Sequence, residues 1–367
     1  MTNYEEFLAY LAWTEKRVIS LLDSSGVSKY FNPEDISESV VSYIHRPAKR
    51  LRPSVLLMAS GALGGQQREE AALAAAAGVE VFHTWTLVHD DLIDNDAQRR
   101  GGPTVHEAVR AAFQERHGHL ANRAVEYARD VAILTGDMQH GWSITLFADC
   151  ALEFGVEPKL ILKIIKHLQS YVLGTLIHGE VLDVRYGMRD PADLRDIDEK
   201  RIVDMLWAKT GVLYEFAGMA GALIGKNTSD FDDPDVRAVA RFASGCGTAF
   251  QLQDDILGIV GDEVSLGKPV GSDIREGKKT VIVHESLKNA DDSQREAILA
   301  TLGNRSAAQE DVQAVTRLFY ELNGIARTKA LAARYIEEAI PHLNGIPDSR
   351  YKRLLLLWAH FMLDRQF

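Results

Sequence analysis

Proline is missing from two long stretches of this chain, between Pro103 and Pro158 and between Pro269 and Pro341. A proline inside a helix costs about 3 kcal/mol, so these stretches permit long helices, and the apolar spacing asks for them. Leu160, Ile161, Ile164, Ile165, Leu168 and Val172 recur at three and four residues, the period of one helix face. Glu70 to Asp94 is rich in helix formers, and Arg350 to Asp364 closes the chain with another apolar helix. β-branched alternating runs bounded by Gly or Asn are nearly absent, so no sheet is expected. Turn signals are short, at Gly64-Gly65, Gly101-Gly102-Pro103, Gly187 to Asp190 and Asn227 to Pro234. No Ser/Pro/Gly-rich linker and no short-period repeat divides residues 1–367. The expectation is a single all-α domain of roughly a dozen helices.

Composition narrows the function classes. A hydrophobic share of 46% suits a globular protein. A formal net charge of −11 argues against general nucleic-acid binding, which needs a basic, counterion-releasing surface. The acidic start MTNYEEFLAYLAW is unlike a signal peptide. No uncharged apolar run reaches the roughly 18 residues that span a bilayer, so no transmembrane segment is expected. Two cysteines, Cys150 and Cys246, are too few for a disulfide framework and suit a cytoplasmic location.

The sharpest local feature is His89-Asp90-Asp91-Leu92-Ile93-Asp94-Asn95-Asp96, at the end of an apolar helix. Asp90 and Asp94 are one turn apart and share a face, in a stripe with His83 and Leu87, while Asp91 lies about 100° round. Like charges so close repel one another, and a helix C-terminus disfavours anions. A solvated acidic helix end would look the same; a bound cation would relieve it, and hard oxygen donors with room for water and phosphate suit Mg2+. A second cluster, Phe250-Gln251-Leu252-Gln253-Asp254-Asp255, follows the apolar stretch Phe242 to Ala249. Adjacent aspartates among apolar residues are costly unless paired or metal-bound, and metal sites in helical bundles are built from such side chains on separate helices. Neither an EF-hand loop nor a zinc ligand set is present.

Basic groups accompany both clusters. Arg46, Lys49, Arg50 and Arg52 lie within seven residues, Arg99-Arg100 follows Asp94, and Lys268, Lys278 and Lys279 follow Asp255. Arginine offers a planar fork to phosphate oxygens and lysine a compact charge. Any one of them alone reads as surface charge; acidic clusters trailed by basic ones fit a metal–diphosphate site better.

With these residues in hand, HDDLIDNDAQRRGGPTVH (His89 to His106) resembles the first aspartate-rich motif of the trans-isoprenyl diphosphate synthases, DDxxD with a trailing RRGxPT. PAKRLRP resembles the upstream GKRxRP, with Pro47-Ala48 where glycines are usual. Lys209-Thr210 matches the KT pair, Phe250 to Asp255 matches FQxxDD, and Gly267 to Thr280 is similar to GKxxGxDxxxGKxT. Glu180 and Asp183 match a position usually written GQxxD. The ordered matches run from about residue 43 to 280. The second motif departs from the pattern at Gly258, where a third aspartate is usual, a form most like the bacterial geranylgeranyl-type members.

The resemblance implies an isoprenoid-synthase helical bundle around a central cavity, acting as a homodimer that uses about three Mg2+ ions. The implied reaction is the head-to-tail condensation of isopentenyl diphosphate with an allylic diphosphate. It assigns Asp90, Asp94 and Asp254 as Mg2+ ligands, with Asp91 and Asp255 acting behind them through water. Arg99, Lys268 and Lys278 would neutralise the allylic diphosphate, and Lys49, Arg52, His83 and Arg100 would hold isopentenyl diphosphate. Lys209, Thr210 and Gln251 would line the carbocation path. Such electrostatic catalysis needs no protein nucleophile. Product length in the family depends on residues beneath the first motif. Trp85 and Phe82 lie five and eight positions before Asp90, about 7.5 and 12 Å along the axis, and share a face. Their bulk favours a C20 product, geranylgeranyl diphosphate, with C15 farnesyl diphosphate as the alternative. The rivals from other classes are a terpene cyclase and a non-catalytic subunit of a heteromeric synthase.

Overall fold

Six alanines between Ala71 and Ala77 set the character of the first long helix. Alanine has the highest helix propensity, and its small side chain lets neighbours approach from every side. Every residue from Ala71 to Phe82 is accordingly buried, as expected for a helix apolar all round. We describe the protein from a computed structural model, over residues 4–188, 198–260 and 271–364.

The described residues form seventeen α-helices. They are α1 (Glu5–Ser24), α2 (Glu34–Ser42), α3 (Leu51–Ala62), α4 (Glu69–Asp94), α5 (Val105–Arg116), α6 (Ala124–Leu152), α7 (Pro158–His167), α8 (Leu173–Gly187), α9 (Glu199–Leu206) and α10 (Val212–Lys226). Then follow α11 (Pro234–Val260), α12 (Ser272–Glu276), α13 (Val281–Asn289), α14 (Asp292–Thr301), α15 (Gln309–Glu321), α16 (Gly324–Ala339) and α17 (Arg350–Asp364). The fold is all-α, as expected. The helix number exceeds a dozen because the last third is cut short by local stops. Gly271 and Gly277 take left-handed backbone on either side of α12, and Asp291 forms a capping box with Gln294 at the start of α14. One small sheet corrects the expectation of none. Gln98–Arg99 (β1) pairs antiparallel with Gly102–Pro103 (β2), and both turn residues, Arg100 and Gly101, have positive φ, as a tight two-residue hairpin requires.

Packing groups the residues into two compact units, Met1–Ile165 with Ala220–Asp230, and Lys166–Met219 with Phe231–Phe367. In the first, α4 lies against α6 and α3, with α1 beyond. Ser143 of α6 donates to the Gly78 carbonyl of α4 at 2.8 Å. The segment from Arg110 to Tyr127 ends α5 and enters α6; Arg116 and Tyr127 both fasten it to Asp35 of α2, at 2.9 and 2.6 Å. In the second unit, α11 packs against α16. Ile256, Ile274, Ile282, Val312, Phe319 and Ile325 join α11 to the short helices that follow it, and fully buried Trp358 of α17 stacks on Tyr214 at 5.5 Å.

Two helical stretches, Gly65–Asp94 and Pro158–Gly187, are long and apolar enough to cross a membrane by length and composition when up to two charged residues are allowed in the span. The first is a core helix, 78% buried over its most apolar window. The second carries a π-turn, Leu168–Val172, between α7 and α8. A matching π-turn, Trp207–Gly211, lies between α9 and α10 and contains Lys209 and Thr210.

α8 approaches that π-turn so closely that a Cβ on Gly179 would stand 2.4 Å from the Lys209 backbone nitrogen. Gly179→Ala must therefore separate the two segments. We expect a loss of about 1–3 kcal/mol in urea unfolding; an unchanged midpoint would show that the approach is not tight.

Candidate active site

The first acidic cluster takes its shape from the end of α4. Asn95 adopts left-handed backbone and donates to the Asp91 carbonyl, terminating the helix just after Asp94. The four aspartates then part company. Asp90 and Asp94 are half-buried and Asp91 is fully buried. Asp91 Oδ1 accepts from Arg99 Nε at 2.6 Å, and Oδ2 accepts from the Tyr43 hydroxyl at 2.5 Å. Burial pushes the Asp91 carboxyl upward, against the opposing pull of Arg99 and Tyr43. The Arg99 guanidinium also lies 3.4 Å from both Asp90 and Asp96. Asp91 is thus a buried anchor rather than a ligand open to an incoming ion.

The basic groups likewise separate into anchored and available ones. Arg50 is buried and ion-paired with Glu80 of α4. Arg100 donates to Glu80 Oε1 at 3.1 Å and to the Tyr43 carbonyl at 2.8 Å. Burial would raise the Glu80 carboxyl, but Arg50 and then Arg100 hold it below its usual value. Arg52 donates to His83 Nε2 at 3.0 Å. Burial and then the surrounding arginines push His83 well below its usual value, so it accepts as a neutral ring and adds no charge. Lys49 is exposed.

Beneath Asp90, Trp85 packs edge-on against fully buried Phe82 at 4.9 Å. His140 of α6 lies 4.9 Å from Trp85, and His89 lies 5.8 Å from it. The two residues named from their spacing are therefore part of a four-ring plug.

In the second unit, Lys209 sits between two carboxylates of α8, 2.6 Å from Asp183 and 3.1 Å from Glu180. Thr210 does not bond its own helix. It donates to Gln251 Oε1 at 2.8 Å, and Gln251 donates onward to Asp255 Oδ1 at 3.1 Å. Asp254 is half-buried and Asp255 buried. Burial and then Asp273 push the Asp255 carboxyl well above its usual value, and its Oδ2 finds no hydrogen-bond partner among the described residues. Asp273 explains Gly258: a Cβ there would stand 2.2 Å from Asp273 Oδ2. Lys278 lies 3.4 Å from Asp273 and 3.1 Å from Glu276. Lys268 lies outside the described residues.

Residues 33–319 match the polyprenyl synthetase family. The chain belongs to that family. It is 36% identical to the geranylgeranyl diphosphate synthase of Sulfolobus acidocaldarius over 81% of this chain and 80% of that one. Identity to the geranylgeranyl diphosphate synthase of Saccharolobus solfataricus is 33%, over 87% and 86%. The crystal structure of Corynebacterium glutamicum geranylgeranyl pyrophosphate synthase, complexed with isoprenyl diphosphate and magnesium, superposes with a TM-score of 0.83 at 25% identity, covering 98% of this chain and 99% of that one.

This polyprenyl synthetase is an all-α prenyltransferase. Within the first unit its structure brings Asp90, Asp91 and Asp96 to Arg99, and Arg52 to His83; within the second it joins Thr210, Gln251 and Asp255 and seats Lys209 between Glu180 and Asp183. Sequence reasoning missed Tyr43, Glu80 and Asp273. Glu80 lies one turn before His83 and Asp273 inside the Gly267 to Thr280 loop, but partners far off in sequence decide what each does. Among the described residues no three His, Cys, Asp or Glu side chains are preassembled around a metal position. Mg2+ needs no such cage, since it keeps several waters and takes one or two carboxylates with substrate phosphates. Asp90 and Asp94 suit that demand, as does the unpartnered oxygen of Asp255 beside Asp273.

The buried Asp255 makes the metal-free protein pH-sensitive. A carboxyl raised by folding contributes stability below its unfolded value near 3.8, and that stability is lost as pH rises through the folded value. Asp255→Asn should therefore unfold at a higher temperature than wild type at pH 7 without metal, with the gap closing as the pH falls. A gap that stays constant across that range would remove burial as the cause.

Proposed function

We infer that the protein is a geranylgeranyl diphosphate synthase, adding isopentenyl diphosphate head to tail to allylic diphosphates and stopping at C20. One observation carries the reading: Asp90 and Asp94 stand half-buried at the end of α4, and Trp85 and Phe82 pack against each other in the turns just before them. Asp90 and Asp94 would hold Mg2+, which would supply the charge neutralisation that makes diphosphate a leaving group, and Arg99, beside Asp90 and Asp96, would offer its guanidinium to the allylic diphosphate. In the second unit Asp254 is a half-buried carboxylate, and Lys268 and Lys278 follow it in sequence with the positive charge that a diphosphate takes. Asp255, with Gln251 and Thr210, holds its own helix rigid behind it.

Isopentenyl diphosphate takes Lys49, Arg52 and Arg100, with neutral His83 fixing the Arg52 fork. Its alkene attacks the allylic cation as the carbon–oxygen bond to diphosphate breaks, and the departing diphosphate removes the proton. The Thr210 and Gln251 side chains offer oxygen dipoles to a carbocation, in the preorganised manner that lowers such barriers, and Lys209 offers its positive charge to the leaving group. The plug of Phe82 and Trp85 stops the growing tail.

We also propose that the protein works as a cytoplasmic homodimer. Apolar side chains stand exposed on α6, at Ile133 and Leu134, and along Pro158–Gly187, at Leu162, Tyr171, Ile177 and Val181; a second copy would cover surface of this kind.

Purified protein incubated with Mg2+, isopentenyl diphosphate and C5, C10 or C15 allylic diphosphates should yield a C20 diphosphate from each. A cyclic hydrocarbon without isopentenyl consumption would make it a cyclase, and no turnover without a second chain would make it a subunit. Asp90→Ala should lower kcat by at least about a thousandfold. Trp85→Ala should lengthen the product by one or more C5 units, because the floor drops to Phe82, about 4.5 Å lower on the helix; an unchanged product would sink the plug.

A further inference from the structure

Glu80 is a buried charge that the mechanism above does not use. It is 1% exposed, sits on α4 one turn before His83, and takes two guanidinium groups, those of Arg50 and Arg100. Both arginines hold left-handed backbone, with φ of 45° and 52°, a conformation that residues other than glycine rarely adopt and that persists only when surrounding contacts enforce it. Two strained residues from separate loops thus converge on one carboxylate.

Their places in the chain give that convergence its meaning. Arg50 follows Lys49 and is the N-cap residue of α3, so its pose directs both Lys49 and the first turn, which carries Arg52. Its guanidinium is further held by the Ile44 carbonyl and, at 3.0 Å, by the Arg46 carbonyl. Arg100 spends two N–H groups on Glu80 and Tyr43, and a guanidinium has five. Two guanidiniums against one buried carboxylate also leave positive charge over; Glu15 lies 3.8 Å from Arg50 at the rim.

We propose that Glu80 is a positioning residue for the isopentenyl diphosphate pocket, its carboxylate holding Arg50 and Arg100 where Lys49, Arg52 and Arg100 meet the diphosphate. The proposal rests on the activity inferred above. Asp91 performs the equivalent task for Arg99 three turns further along α4, so the two members of the Arg99-Arg100 pair are assigned to different substrates by two different carboxylates.

Glu80→Asp keeps the charge and withdraws it by one methylene. We expect KM for isopentenyl diphosphate to rise at least about tenfold, with kcat and the allylic KM within about threefold of wild type. Calorimetry of isopentenyl diphosphate with the protein should show the same weakening. An unchanged isopentenyl KM, or equal losses for both substrates, overturns the proposal. Glu80→Gln provides the same reading if Glu80→Asp does not fold, and failure of both to fold makes Glu80 a determinant of folding alone, which also overturns it. A wild type inert toward isopentenyl diphosphate would count against the inferred activity; an active wild type with an indifferent Glu80→Asp counts against this proposal alone.

Discussion

Burying a carboxylate costs several kcal/mol unless it is paired and hydrogen-bonded, and α4 buries two of them, Glu80 and Asp91, three turns apart. Much of the first unit's local geometry follows from meeting that demand. The hairpin at Gln98–Pro103 turns on Arg100 and Gly101 at positive φ so that consecutive arginines reach separate carboxylates. Tyr43 serves both ends: its hydroxyl donates to Asp91, and its carbonyl accepts from Arg100. The same hydroxyl accepts from the Val105 backbone at 3.0 Å, which ties the start of α5 into the network. Removing one partner from such a network leaves an unpaired buried charge, at about 3–5 kcal/mol. The half-buried Asp90 and Asp94 are thereby displayed from a rigid support.

The second unit settles its charges less completely. Lys209 has two carboxylates at hand, Glu180 and Asp183, which hold it in place. Asp255 has only the Gln251 amide on one oxygen, and nearby Asp273 opposes its ionisation. Lys278 lies beside Asp273 and Glu276 and opposes the rise at Asp255 without cancelling it. A buried acid with a like-charged neighbour is stable while protonated, or when a cation arrives. The contrast between the units is therefore one of readiness: the first is internally neutralised, and the second retains a demand for positive charge.

The sequence showed the helices and the chemistry-bearing positions well, for two reasons. Period-3.6 patterning survives without any knowledge of neighbours, so Arg350–Asp364 was visible at both ends. Candidate site residues cluster locally, so Asp90, Asp94, Lys209, Thr210, Gln251 and Asp254 could be named from short motifs. What stayed hidden was long-range. Nothing in the sequence places Tyr43 beside Asp91 or Glu80 beside Arg100. The hairpin was missed because two residues per strand leave no alternation to see. The π-turn presents Thr210 to Gln251, and no composition signal announces a π-turn.

Gly258 shows how a local departure from a motif can reflect a demand for space. Taken alone, glycine in place of a third aspartate is the loss of a carboxylate. In the fold, Asp273 Oδ2 occupies the volume that any side chain at 258 would enter, 2.2 Å from the ideal Cβ. The Gly271 nitrogen donates to the Gly258 carbonyl at 3.3 Å, so the start of α12 is pinned to the same residue. The carboxylate near this turn of α11 is therefore supplied from α12 rather than from α11 itself. Charge at this position is then linked to the seating of α12 and to Lys278 just beyond it.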